Sequence, residues 1–136
     1  MTDKTFTDPP DMPEGERMTD AEFRVVREHL GLTGEWLADH LGVSPRAVRH
    51  WEQGKYAIPD VVRLEMQSLE ARTAEFADKA VAALSDMSEP GVLTYRSDAE
   101  YHNAHPEISF PASWHRALVA RIAQTVPGLA IAYPEA

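Results

Sequence analysis

The chain has 136 residues, 43% of them hydrophobic, a formal net charge of −9 and no cysteine. That length suits one compact domain with a small accessory unit and leaves no room for a large enzyme. The missing thiols exclude a disulfide framework or a thiolate metal site. No apolar run approaches the roughly 20 residues needed to cross a bilayer. Residues Met1 to Arg17 are acidic and proline-rich and lack the apolar core of a secretion signal, so the expected compartment is the cytoplasm.

Met1 to Arg17 carries no periodicity and reads as a disordered arm. Its first three residues, Met1-Thr2-Asp3, recur as Met18-Thr19-Asp20, which makes Met18 a second candidate start. A first helix is expected from Thr19. Thr19 and Glu22 suit a capping box, with Met18 against Phe23 as a hydrophobic staple. Phe23, Val26 and Leu30 form its apolar stripe, and Gly31 ends it.

Thr33 to Pro59 reads as a helix, a tight turn and a second helix. The first runs from about Gly34 to Leu41 and buries Leu37, Ala38 and Leu41. Gly42 supplies the left-handed backbone that closes it, and Val43 plugs the angle between the helices. Ser44 is a good N-cap and Pro45 suits the first helical position. The second helix buries Ala47, Val48 and Trp51, turns Arg46, Arg49 and His50 outward, and stops at Gly54. Two helices on a glycine turn, the second with outward bases, form the helix-turn-helix pattern.

The ordered set Leu37, Ala38, Gly42, Val43, Ser44, Val48, Trp51, Glu52 and Gly54 resembles the Xre or phage-repressor type of helix-turn-helix, with its lambda-repressor-like fold. The resemblance implies binding to double-stranded DNA. It implies that Trp51 is core and that Glu52 is a structural hydrogen-bonding residue. One position departs from the pattern: the family often has Gln at the start of the first helix of the pair, touching phosphate, and here stands Gly34.

Net charge opposes binding to a polyanion, but its distribution does not. Arg24, Arg27, Arg46, Arg49, Lys55 and Arg63 all fall between residues 24 and 63, whereas acid dominates the arm and the chain beyond Leu64. Base reading asks for side chains at the N-terminal end of the second helix, which enters the major groove. Those are Ser44, Pro45, Arg46, Arg49 and His50. Arg46 suits guanine N7 and O6. His50 suits guanine or a phosphate, Arg49 a phosphate, and Pro45 an apolar contact such as a thymine methyl. Lys55 and Tyr56 follow in the loop that, in the family, lies along the DNA backbone.

Pro59-Asp60 opens a fourth helix. With no Gly or Pro before Ser88, it is expected to run about 28 residues, roughly 40 Å. Val62, Met66, Leu69, Thr73, Phe76, Ala80, Ala83 and Met87 make a heptad-like seam. Beyond Glu89-Pro90-Gly91, Val92 to Arg96 reads as a strand and Ser97 to Ile108 as a polar loop with at most one helical turn. A helix opening at Phe110-Pro111-Ala112-Ser113 presents Trp114, Leu118, Val119, Ile122 and Val126 on one face. Pro127-Gly128 breaks it, and Leu129 to Tyr133 reads as a second strand, parallel to the first.

The fold class expected is thus mainly α: an N-terminal helix-turn-helix domain, a long connecting helix and a small C-terminal β-α-β dimerisation unit. The expected division is residues 1–17 as arm, 18–63 as DNA-binding domain, 64–88 as continuing helix and 89–136 as C-terminal unit. This order of parts, with Ser113-Trp114-His115-Arg116-Ala117 and Val126-Pro127-Gly128-Leu129, is similar to the YdiL-like and anti-CRISPR-associated repressors. That resemblance implies a homodimer, made by the C-terminal half, on a palindromic operator and repression that includes its own promoter. Alternatives are an antitoxin-like module with a partner protein, or RNA binding by the same basic face. A zinc-dependent enzyme would use His102, His105 and His115 with Asp98, Glu100 and Glu107. It is disfavoured, because His-x-x-His here lies in a polar loop without a His-Glu-x-x-His helix. No cofactor and no membrane partner are expected.

Overall fold

The computed structural model describes residues 17–135; the expected N-terminal arm lies outside the described residues except for Arg17. The elements are α1 (Asp20–His29), α2 (Gly34–Leu41), α3 (Pro45–Glu52), α4 (Asp60–Ser85), β1 (Gly91–Leu93), α5 (Asp98–Ala104), α6 (Ala112–Ala123) and β2 (Ala130–Ala132). Among the described residues no helix is long and apolar enough to cross a membrane. The chain divides into two compact units, one ending at Glu70 and the other beginning at Ala71.

The first unit holds α1, α2, α3 and the opening turns of α4. Each of α1, α2 and α3 starts where the sequence offers a cap. Thr19 Oγ1 accepts the Glu22 N–H at 3.0 Å while Glu22 Oε1 accepts the Thr19 N–H at 3.2 Å, which is the reciprocal capping box. Thr33 Oγ1 accepts from Trp36 N–H at 3.0 Å and Ser44 Oγ from Ala47 N–H at 3.2 Å. Phe23, Leu37, Val48, Val62 and Met66 are all at most 1% exposed. Full burial of such a side chain contributes about 1.5–3 kcal/mol. The edge of Trp51 meets Phe23, ring centroids 6.0 Å apart, and joins α3 to α1.

The second unit is built around Trp114, 1% exposed. Its ring stacks on Phe110 at 4.1 Å and meets Phe76 edge-on at 5.4 Å. Its Nε1–H donates to Thr73 Oγ1 at 3.0 Å, so the buried indole keeps a partner. Leu118, Val119, Ile122 and Val126 are buried beside it, as the spacing on α6 requires. β1 and β2 pair in parallel, Gly91 with Ala130 through Leu93 with Ala132.

Three expectations shift in detail. The fourth helix ends at Ser85, after 26 residues. Its buried stripe follows Val62, Met66, Leu69, Thr73 and then Ala77, whereas Phe76 is 41% and Met87 50% exposed. At about 3.6 residues per turn Phe76 and Ala77 flank the line of that stripe on either side, and the position buried in this turn is Ala77. Between the strands lie two helices, α5 and α6, where one was expected. Ser97 caps α5 through Glu100 N–H at 3.2 Å, Asp98 and Glu100 sit in its first turn, and Tyr101 alone is buried. One buried aromatic in a polar heptapeptide leaves no periodicity to read. The strands also shrink, to Gly91–Leu93 and Ala130–Ala132.

Candidate nucleic-acid interface

The geometry of this site begins with two glycines. Gly42 and Gly54 have φ of 73° each, a left-handed backbone that a Cβ would strain. At Gly42, Val43 N–H reaches back to Ala38 C=O at 2.9 Å; at Gly54, Lys55 N–H reaches His50 C=O at 2.9 Å. Both are the Schellman closure of a helix end. The first sets the angle between α2 and α3. The second folds Lys55 and Tyr56 back against the last turn of α3, where Tyr56 meets His50 edge-on at 5.4 Å and Lys55 Nζ lies 5.7 Å from the Tyr56 ring.

Along α3, Arg46, Arg49 and His50 share a face at spacings of three and four. Arg46 and Arg49 are exposed and His50 is half-buried, while Val48 and Trp51 are buried on the opposite side. Pro45 is exposed at the first helical position; Ser44 is engaged as the cap. Tyr56 is 58% exposed despite its ring contacts. All the residues expected at the interface therefore lie on α3, its cap or the loop that closes it.

Charge pairing separates these bases from the others. Residues 17–70 carry seven bases and nine acids. Arg24 pairs with Glu28 at 3.0 Å and Arg63 with Asp60 at 2.6 Å. Arg27 forms a bidentate pair with Glu52, Nη2 to Oε2 being 3.3 Å, and its Nη1 donates to the Leu32 carbonyl at 2.9 Å. Arg17 is also engaged. Arg46, Arg49 and Lys55 make no hydrogen bond or ion pair with another described residue. The basic face expected from sequence thus loses Arg24, Arg27 and Arg63 to internal pairs and retains the cations of α3 and its loop. Glu52 is structural, as the motif implies, and its partner is Arg27.

At Gly34, an added Cβ would meet only Val48 Cγ1, at 3.9 Å. That is ordinary contact, so packing does not force the departure from the family's Gln. Further along α2 the Trp36 ring stacks on His40 at 4.9 Å, and His40 Nε2 lies 2.9 Å from Glu65 Oε1, tying α2 to α4.

The histidines that a zinc site would need are engaged in other contacts. His102 Nε2–H donates to the Phe110 carbonyl at 2.7 Å, His105 Nε2 shares a hydrogen bond with Tyr95 Oη at 3.1 Å, and His115 Nδ1 one with Thr94 Oγ1 at 2.7 Å. Tyr101 lies among them, its ring 4.9 Å from that of His115. Burial, with His105 and Arg116 nearby, pushes His115 down to about 4, and burial, with Tyr95 and Glu107, pushes Tyr101 up to about 12. His115 and Tyr101 are therefore packed, neutral rings at neutral pH. Among the described residues no three His, Asp or Glu side chains gather as ligands for an ion.

A capped helix pair set by a left-handed glycine, with Arg46 and Arg49 unpaired among the described residues on the exposed face of the second helix, defines a helix-turn-helix DNA-binding protein. Comparison with known proteins agrees: residues 21–68 match a helix-turn-helix domain family. The Aca2 repressor of Pectobacterium phage ZF40 is 31% identical over 113 residues, which cover 82% of this chain and 91% of that protein. The chain belongs to the family of that repressor and is a DNA-binding transcriptional regulator.

Proposed function

We propose that this protein is a repressor that binds an inverted-repeat operator as a homodimer, in the cytoplasm, and that its targets include its own promoter. The observation that carries the reading is charge pairing: Arg46, Arg49 and Lys55 are left without acid partners among the described residues, while Arg24, Arg27 and Arg63 are paired. Arg46 and His50 read base edges in the major groove; a bidentate Arg–guanine pair discriminates by about 1–3 kcal/mol. Arg49, Lys55 and Tyr56 hold the backbone and fix register. Ser44 and Pro45 meet the groove at the start of α3. Residues 18–63 serve as the DNA-binding part, 64–88 as the continuing helix and 89–136 as the dimerising part. Repression follows from occupying the site that polymerase needs.

The test is selection from a random duplex pool at about 0.15 M salt, where the screening length is about 8 Å. The expected result is an enriched palindrome whose half-site centres lie about 34–36 Å apart, or a multiple of that. A folded, dimeric protein that enriches nothing would sink the operator reading.

A further inference from the structure

Tyr56 is 58% exposed, so burial contributes little to holding it, yet its place is fixed from both sides. On one side Gly54, at φ 73°, turns the chain back on α3. Its N–H reaches the Trp51 carbonyl at 3.2 Å, and Lys55 N–H reaches the His50 carbonyl at 2.9 Å. A Cβ at Gly54 would lie 2.8 Å from Asp20 Oδ2, so the first residue of α1 also closes on this turn. On the other side Ile58, 3% exposed, anchors the chain in the core. Tyr56 lies midway between these anchors. Its ring rests against His50, with centroids 5.4 Å apart and 65° between the planes. Lys55 Nζ, 5.7 Å from the Tyr56 centroid, adds a cation contact to the same ring.

His50 stands four residues after Arg46 and therefore on the same face of α3, one turn along. An imidazole on an open helix face has several staggered rotamers to choose from. A ring neighbour at 5.4 Å removes some of them by contact. Arg46 and Arg49 are exposed and have no ring contact with another described residue, whereas His50 is half-buried. A side chain ordered in advance loses less freedom on binding. It also presents its N–H to one place. A histidine free to turn meets a phosphate or several base edges about equally and therefore discriminates little.

We propose that Tyr56 is a positioning residue for base readout. Its ring holds the His50 imidazole toward one base pair of the major groove, so discrimination at that pair depends on Tyr56 although Tyr56 itself touches no base. This rests on the base-reading role given to His50 above. Tyr56 keeps its place along the DNA backbone as well, where a contact from its hydroxyl to phosphate affects every sequence alike and carries no base preference. The two roles are separable, because one belongs to the hydroxyl and the other to the ring.

The test is competition binding at about 0.15 M salt, with the selected operator set against duplexes changed at one base pair at a time. His50→Ala identifies the pair that His50 reads, as the one where preference disappears. Tyr56→Ala should lose about tenfold of the discrimination at that same pair, or about 1.4 kcal/mol, and keep the discrimination at the pair read by Arg46. Tyr56→Phe, which keeps the ring, should keep both. Tyr56→Gln, ringless but polar, should behave as Tyr56→Ala does, which separates loss of the ring from loss of bulk. The double variant of His50→Ala with Tyr56→Ala should discriminate no worse than His50→Ala alone, since one side chain acts through the other. A Tyr56→Ala protein that keeps its preference at that pair, or loses preference equally at every pair, overturns the proposal. If His50→Ala alters preference at no pair, the base-reading role of His50 fails instead, and Tyr56 has nothing to position.

Discussion

The pair between Arg27 and Glu52 decides whether a base near the recognition helix serves DNA or the fold. Glu52 is the last residue of α3, and Arg27 reaches it from α1 with both ends of its guanidinium fork while a third nitrogen holds the Leu32 carbonyl. The side chains are 15% and 13% exposed. A surface pair contributes about 0–1 kcal/mol, and removing one member of a fully buried pair costs about 3–5 kcal/mol. At this partial burial, with bidentate geometry, the loss of one partner should cost about 2–3 kcal/mol. That is a large share of the 5–15 kcal/mol typical of a domain. Glu52→Gln and Arg27→Met should each lower stability by that amount in urea unfolding. The double variant should fall well short of their sum, since each single change already strands the other side chain. Duplex affinity, measured where all variants are folded, should stay within about two-fold, a difference of roughly 0.4 kcal/mol. A tenfold loss of DNA binding by Arg27→Met with an unchanged unfolding midpoint would refute the reasoning and make Arg27 a phosphate contact.

Three further outcomes follow from named contacts. Arg46→Ala should erase discrimination between the selected operator and a scrambled duplex, whereas Lys55→Ala should weaken both about equally; competition binding at fixed salt separates the two roles. Thr73→Val keeps the shape of a residue 3% exposed but removes the acceptor of the Trp114 indole. It should cost about 1–3 kcal/mol in a thermal melt, with Thr73→Ser recovering most of it. His115 sits at about 4 against an ordinary 6.5, so between those values the unfolded chain binds more protons than the folded one. Stability should therefore fall as pH drops from 6.5 toward 4 and level off below it, and His115→Gln should flatten that part of the profile.

Much of the first unit was legible because each element carries its own punctuation. Thr19 with Glu22, Ser44 with Pro45, and Gly42 and Gly54 after apolar stripes fix where helices begin and end, and the observed bounds of α2 and α3 follow them. The exposed bases of α3 were legible for the same reason: helical spacing places Arg46 and Arg49 opposite Val48. What was not legible depends on long-range partners. Nothing local distinguishes Arg27, which reaches an acid 25 positions away, from Arg46 or Arg49, which reach none among the described residues. Periodicity also cannot tell a heptad seam from a straight helix over so few turns, so spacing alone does not choose between Phe76 and the buried Ala77. The short α5 was missed because its stability lies in the Tyr101 stack with Tyr95 and His115 and not in a pattern of its own.

The charge on this chain shows why net charge is a poor guide to a polyanion partner. Residues 1–16 hold five acids and one lysine, residues 17–70 nine acids and seven bases, and residues 71–136 eight acids and five bases. No segment is basic, including the one that matches a DNA-binding domain. What matters to a phosphate is the field within a Debye length, about 8 Å at physiological salt. Inside that distance the governing quantity is which charges are already neutralised. Glu28, Glu52 and Asp60 each occupy an arginine of the same unit, so these acids and bases cancel locally and add little field of either sign. Among the described residues of that unit, Arg46 and Arg49 on the exposed face of α3 and Lys55 in its closing loop are left over. Pairing, more than composition, thus leaves free cations on the helix proposed to enter the groove, and the remaining acid should keep weak, sequence-independent attraction to nucleic acid low, which a salt series on a scrambled duplex would measure.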